Sequence, residues 1–165
     1  MKVKPETFVL DLDGVFTDGK FYYSSEGKLF KAFGPDDHDA IILLKQFLKI
    51  IVVSADHKGF EISKRRIQDD MNLELELVSS KDRIKWIQER FDVATTIYMG
   101  DGIFDSFVFD GVMYGICPSN SSSNTKQYAD YICNEEGGSR AVAEACIHIA
   151  QHFFDVNLIG TSASG

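Results

Sequence analysis

The chain offers little sulfur chemistry. Its three cysteines, Cys117, Cys133 and Cys146, are odd in number, far apart and without a Cys-x-x-Cys pair, which argues against a disulfide framework, structural zinc or a redox motif. We read them as buried thiols, small residues of a core. Long hydrophobic runs are also missing. None approaches the ~20 residues needed to span a bilayer, and Met1-Lys2-Val3-Lys4-Pro5 has no apolar stretch after its lysines to act as a secretory signal. The cytoplasm is the expected compartment. Basic charge is scarce: 17 Lys and Arg stand against 25 Asp and Glu, a formal charge of -8, which argues against a nucleic-acid backbone or an anionic membrane surface as main partner. An anionic small substrate would need a local cation. What remains is ordinary for a folded chain: 165 residues, 44% hydrophobic and 25% charged, suit one compact domain.

Apolar runs of strand length alternate with stretches of helical period, the pattern of a parallel sheet covered by helices on both faces. Thr7 to Leu10, Ile50 to Val53, Thr96 to Met99 and Met113 to Ile116 read as buried strands. Leu73-Glu74-Leu75-Glu76-Leu77 alternates, as a strand exposed on one face would, and Tyr131 to Cys133 reads as a last short strand. Asp37 to Leu48, Asp82 to Phe91 and Ser139 to Phe154 read as packed helices; the last carries Val142, Cys146, Ile149 and Phe153 at steps of four, three and four. The polar run Ser119 to Thr125 reads as a loop, and the segment 158–165 as a flexible tail after a single domain of residues 1–157.

One segment interrupts the alternation. Lys20 to Phe33 places Phe21, Tyr22, Tyr23, Leu29, Phe30 and Phe33 around the turn signal Ser24-Ser25-Glu26-Gly27, which predicts a projecting β-hairpin at about residues 20–33. So many aromatic residues on a projection call for a covering surface, either a neighbouring subunit or the hairpin's own domain.

The chemistry concentrates at strand ends. Asp11-Leu12-Asp13-Gly14-Val15-Phe16-Thr17-Asp18-Gly19 follows the first strand, and two carboxylates two residues apart on an extended chain point to one side. In a parallel α/β sheet that carboxyl edge is where ligands bind. Gly14 lets the chain turn away sharply. Acids this close repel, so one needs a proton or the site needs a cation, and Mg2+ suits carboxylates, water and substrate phosphate. A second strand ends in Gly100-Asp101-Gly102-Ile103-Phe104-Asp105; Asp101 can complete a metal site, and Asp105, one helical turn on, can reach a metal-bound water or hold a neighbouring cation. Ser54 closes the strand Ile50 to Val53, where its hydroxyl and the following amide of Ala55 could hold phosphate oxygens. Lys81-Asp82-Arg83 opens a helix, and a cation there could neutralise a phosphoryl group in transfer. His38, His57 and the basic cluster Lys64-Arg65-Arg66 read as solvated side chains.

Together these residues resemble the four motifs of the haloacid dehalogenase-like hydrolases. From about Thr7 to Phe154 the chain is similar to the capless 3-deoxy-manno-octulosonate 8-phosphate phosphatase family, through Asp11 to Gly19, the hairpin leading to Phe30-Lys31-Ala32-Phe33, Asp37, Ser54, Gly100-Asp101 and Gly137-Gly138. The resemblance implies a Rossmann-like, doubly wound, mainly parallel α/β fold with a projecting hairpin and no cap domain. It implies that Asp11 attacks phosphorus to form an aspartyl-phosphate and that Asp13 protonates the leaving oxygen and then activates water. It implies Mg2+ on Asp11, the Asp13 carbonyl and Asp101, with Asp105 behind them. Ser54, Ala55 and Gly14 would contact phosphate, and Lys81 or Arg83 would supply the cation. It also implies a homotetramer in which each hairpin contacts a neighbouring subunit.

Departures from the family pattern bear on the substrate. Where Thr-Gly-Arg is common, this chain has Ser54-Ala55-Asp56, so an acid replaces a base expected beside the substrate, and a carboxylated sugar should bind less well. Gly102 stands where a second aspartate is usual, and the arginine after Gly137-Gly138 is displaced by one, to Arg140. The expected function is a Mg2+-dependent phosphomonoesterase acting on a sugar phosphate, an eight- or nine-carbon acidic sugar phosphate or a related one. The alternative is a catalytically idle module that oligomerises or regulates within a sugar-nucleotide, cytidylyltransferase-linked pathway.

Overall fold

The structure is a computed structural model and describes residues 3–158. Six parallel strands form the central sheet in the order β5-β4-β1-β6-β7-β8. They are β1 (Thr7–Asp11), β4 (Lys49–Ser54), β5 (Glu74–Leu77), β6 (Thr96–Met99), β7 (Tyr114–Cys117) and β8 (Tyr131–Ile132). Two further strands, β2 (Tyr22–Ser24) and β3 (Gly27–Phe30), form a separate antiparallel hairpin. The helices are α1 (Asp36–Leu44), α2 (Phe60–Lys64), α3 (Arg83–Arg90), α4 (Asp105–Phe109), α5 (Ser123–Lys126) and α6 (Ala141–Phe154).

The sheet separates two apolar layers, and the parity of β1 assigns side chains to them. Phe8 and Leu10 join the larger layer, with Ile41 and Leu44 of α1 and Val142, Cys146 and Ile149 of α6. Val9 joins the smaller layer, with Ile87 of α3, Tyr98 of β6 and Val108 of α4. β1 is therefore buried on both sides, as a central parallel strand must be. All three cysteines are buried and unpaired, and burial pushes the Cys117 thiol up to about 11. No helix among the described residues is long and apolar enough to cross a membrane.

The strand order places the functional edge. The chain leaves β1 for β4 and β5 on one side, then returns to β6 and continues to β7 and β8 on the other. The reversal between β1 and β6 opens a crevice beyond their carboxyl ends, so Asp11 and Asp101 must face each other across it.

Several boundaries differ from the sequence reading for local reasons. The first helix ends at Leu44 and Leu48 is buried through a turn instead. The last helix begins at Ala141, because Arg140 has a left-handed backbone (φ 79°) that helix cannot include. The polar run after Ser119 contains a single helical turn, α5, capped by the Ser122 hydroxyl. α2 winds on into a π-helical stretch, Arg65–Asp70, a change of pitch without a clear periodicity signal. Leu158, assigned above to the tail, is buried in the larger layer; residues 159–165 of that tail lie outside the described residues.

Asp37, at the start of α1, accepts a 2.9 Å hydrogen bond from the amide of Ala143 and so ties α1 to the first turn of α6. Behind the β1 loop, Gly138 donates to the Val15 carbonyl (3.1 Å), and a side chain at Gly137 would meet the Gly14 carbonyl oxygen at 1.9 Å. The two glycines are thus the floor on which the Asp11–Gly19 loop rests. Gly137→Ala forces backbone against backbone and should destabilise the fold by about 1–3 kcal/mol. Chemical denaturation reads this directly, and an unchanged midpoint would contradict the contact.

Candidate active site

Three carboxylates converge at the crevice: Asp11, Asp101 and Asp105 each offer an oxygen within 4.8 Å of the others. Asp11 is the last residue of β1, shares the parity of Val9, and so faces the layer that holds α3. Its Oδ1 accepts from the Leu12 amide at 2.7 Å, and its Oδ2 lies 2.6 Å from Nη1 of Arg83. Asp101 follows β6. Asp105 opens α4 and is braced on both oxygens, by the Tyr98 hydroxyl (2.6 Å) and Arg83 (3.2 Å) on Oδ1 and by the Gly102 amide (2.8 Å) on Oδ2.

Glycine makes this crowding possible. A Cβ at Gly14 would lie 2.0 Å from Oδ2 of Asp101, and its φ of 89° is itself disfavoured for side-chain residues. A Cβ at Gly100 would lie 2.4 Å from Cγ of Asp105. Thr17 fixes the loop between, its hydroxyl accepting from the amides of Gly14 (3.1 Å) and Gly19 (3.3 Å).

The electrostatics follow from the crowding. Burial pushes the Asp11 carboxyl up to about 7, although the Arg83 guanidinium opposes this. Burial, with the negative charges of Asp11 and Asp105, pushes Asp101 up to about 8. One arginine does not balance three carboxylates, so the cluster is short of positive charge. A hard divalent cation with an all-oxygen shell fits that deficit.

Arg83 is 2% exposed and also donates to the Tyr98 hydroxyl at 2.7 Å. Of the two cations offered by the sequence, it is the one at the site. Lys81 is exposed, with its ammonium 5.8 Å from the centre of the Phe104 ring, outside the crevice. Asp13 is not among the converging carboxylates. Its Oδ1 lies 2.7 Å from Nζ of Lys31, and its Oδ2 accepts from the Ser54 hydroxyl at 3.0 Å. Ser54 is fully buried and accepts from the Asp56 amide at 3.1 Å. Ala55 lines the crevice, a cavity of 430 Å³ that reaches from Asp11 and Arg83 out to Phe21 of the hairpin. His57 is exposed and His38 half-buried, and neither lines it.

Lys31 is the functional group the sequence reading passed over. It appeared only as a landmark after the hairpin, yet its side chain is completely buried between Asp13 and Asp56. A lysine following an aromatic hairpin carries no spacing signal that would place it between Asp13 and Asp56. The same contacts revise the expectation for Asp56. Burial works against its charged form, but hydrogen bonds from Lys28 and Lys31 outweigh it and hold the carboxyl below the ordinary range. The acid is the counter-ion of two lysines and does not present an unbalanced negative charge to a substrate.

The sign of the pH dependence can be worked out. Asp11 and Asp101 rise from the usual 3.8 to about 7 and about 8, so the metal-free native chain holds more protons than the unfolded chain between about pH 4 and 8. Stability from these two groups is therefore full at low pH and is lost as pH rises through that window. A cation that binds the ionised carboxylates competes with protons. The rise in melting temperature on adding Mg2+ should be larger at pH 8 than at pH 6. A gain that shrinks as pH rises would place the ion elsewhere.

No family model matches the chain. The 3-deoxy-D-manno-octulosonate 8-phosphate phosphatase KdsC of Salmonella typhi is 26% identical over 148 residues, 84% of this chain and 75% of that protein. The enzyme of the same name from Moraxella catarrhalis, solved with magnesium ion, phosphate ion and KDO, superposes with a TM-score of 0.80 at 24% identity, covering 92% of this chain and 88% of that one. The cobalt-bound phosphatase of Haemophilus influenzae gives a TM-score of 0.78 at 24% identity, covering 90% and 88%. The chain has the α/β fold of the HAD family hydrolases and is similar, over most of its length, to the 3-deoxy-D-manno-octulosonate 8-phosphate phosphatases.

Proposed function

We propose that the protein is a Mg2+-dependent phosphomonoesterase that hydrolyses a sugar phosphate, an eight- or nine-carbon acidic sugar phosphate or a related one. The observation that carries this reading is the convergence of Asp11, Asp101 and Asp105 beside a buried Arg83, at the edge where the sheet reverses. A magnesium ion held by Asp11, Asp101 and the main-chain carbonyl of Asp13 would draw charge from the phosphoryl oxygens.

The chain's own residues supply the rest. Asp11 provides an oxygen nucleophile whose orientation is fixed by Leu12 and Arg83. As its bond to phosphorus forms, the bond from phosphorus to the sugar oxygen breaks and Asp13 delivers a proton to that oxygen. Asp13 then takes a proton from the water that attacks the aspartyl-phosphate, which releases inorganic phosphate and restores Asp11. Arg83 offsets the negative charge that spreads over the phosphoryl group in transfer. The Ala55 amide, at the crevice, would orient its oxygens; the Ser54 hydroxyl and the Gly14 amide expected to share that task are engaged instead with Asp13 and Thr17.

The hairpin belongs to the same proposal. Phe21, Tyr23, Leu29 and Phe30 are each about half exposed or more, an apolar surface that a neighbouring subunit of a homotetramer would cover. A cytoplasmic setting suits three unpaired buried thiols.

With Mg2+ the purified protein should release phosphate from at least one member of a panel of phosphorylated sugars that includes the eight- and nine-carbon acids. Asp11→Asn should lower that rate by at least about 10³-fold while leaving the melting temperature near or above that of the wild type. Retained activity would remove Asp11 as nucleophile, and silence of the wild type across the panel would favour the idle module. Light scattering on the eluted protein should give four chains per particle; a monomer at micromolar concentration would contradict the subunit role of the hairpin.

A further inference from the structure

The lysine between the hairpin and the crevice has no assigned task in the reaction. Its surroundings are unusually complete. The Lys31 ammonium lies 2.7 Å from Oδ1 of Asp13, 2.9 Å from Oδ2 of Asp56 and 2.8 Å from the Ser63 hydroxyl oxygen. Ser63 donates its own proton to the Gly59 carbonyl at 3.1 Å, so its oxygen faces Lys31 as an acceptor. An ammonium has three donors and no acceptor; here one donates to Ser63, carboxylates of Asp13 and Asp56 pair with the charge, and the side chain is wholly buried, so the group is occupied inside the protein.

The chain is shaped to admit this arrangement. A Cβ at Gly59 would come within 2.2 Å of Oδ2 of Asp56 and within 2.9 Å of both Cδ of Lys28 and Cε of Lys31. Gly59 also donates to Oδ1 of Asp56 at 3.1 Å, while Lys28 reaches Oδ2 of the same carboxylate at 2.5 Å. Charges therefore alternate from the hairpin inward, as Lys28, Asp56, Lys31 and Asp13, each buried or largely buried.

We propose that Lys31 is a positioning residue for the proton transfer made by Asp13, and that Asp56 is the counter-ion that holds Lys31 there and not a ligand of the substrate. This rests on the phosphatase reading above. Lys31 pins Oδ1 of Asp13 from one side and can take no proton from it. Oδ2 faces only a hydroxyl, which can turn, so Oδ2 is the oxygen that exchanges a proton with the leaving group. Without Lys31 the carboxyl loses its fixed rotation, and Asp13 and Asp56 are left facing each other with one cation fewer.

In phosphoryl transfer a positioned acid matters only where the leaving oxygen needs a proton. An alkyl sugar phosphate expels an alkoxide and depends on it; p-nitrophenyl phosphate expels a stabilised phenolate and does not. The later attack of water needs Asp13 as base whichever ester was cleaved, so the esters are compared in kcat/KM, which stops at phosphoryl transfer. The test is steady-state hydrolysis of both esters with Mg2+ by the wild type, Lys31→Met, Lys31→Arg and Asp56→Asn, using whichever sugar phosphate the panel identifies. Lys31→Met should lose about 100-fold in kcat/KM on the sugar phosphate and only a few-fold in kcat/KM on the aryl ester. Lys31→Arg should recover part of the sugar-phosphate rate, and Asp56→Asn should show the same selective loss to a smaller degree. Should Lys31→Met fail to fold, Asp56→Asn alone decides. Equal losses in kcat/KM on both esters, or a rise in KM with kcat unchanged, would overturn the proposal and make this cluster structural or substrate-binding. A wild type that cleaves neither ester would instead overturn the phosphatase reading, and this inference with it.

Discussion

Everything at this sheet edge depends on holding like charges together. Asp11, Asp101 and Asp105 approach within one coordination sphere, and only one buried guanidinium answers them. The fold tolerates this through two devices. Glycines at positions 14 and 100 remove the side chains that would keep the carboxylates apart. Arg83, Tyr98 and the Gly102 amide immobilise Asp105, so that it serves as a brace for Asp11 and Asp101. The remaining charge deficit is what makes the site a cation site. Aspartates left without a cation at this depth would stay partly protonated at neutral pH, and a protonated carboxyl is ill suited to the nucleophilic role proposed for Asp11.

The hairpin links this centre to the rest of the surface. Its aromatic face points outward while its lysines turn inward to Asp56 and Asp13, so a two-stranded projection that would be marginal alone is fastened by buried ion pairs. Asp56 shows how a substitution changes meaning in context. As a sequence letter it replaces a base with an acid near the substrate. In the structure its charge is taken up by two lysines, so any effect on substrate choice comes from the arginine that is absent and not from a repulsive carboxylate. Each half of the site thus has its own compensation, one by arginine and one by lysine.

Much of this was legible in the residues. Asp11-Leu12-Asp13-Gly14 and Gly100-Asp101 sit at the ends of apolar runs, and strand parity with parallel topology suffices to bring them to one crevice. The four buried strands, the alternating strand of Leu73 to Leu77 and three of the helices follow from period alone, with boundaries shifted by a few residues where a left-handed Arg140 or a tight turn after Leu44 intervenes. Local pattern could not choose between Lys81 and Arg83, since both lie at the start of α3. The helix register decides, turning Arg83 under the sheet edge and Lys81 out toward Phe104. Lys31 was illegible for a different reason. Its partners lie 18 and 25 positions away in strand-end loops, so its burial is a property of how the hairpin folds back.

The account stands on Asp11 and Asp101 sharing one cation. Mn2+, a spectroscopically visible substitute for Mg2+, can be titrated into the protein and its free fraction followed by electron paramagnetic resonance. The account predicts one tightly held ion per chain in the wild type, displaced by Mg2+, and loss of that ion in Asp101→Asn. Equal binding by the wild type and a folded Asp101→Asn protein would contradict it.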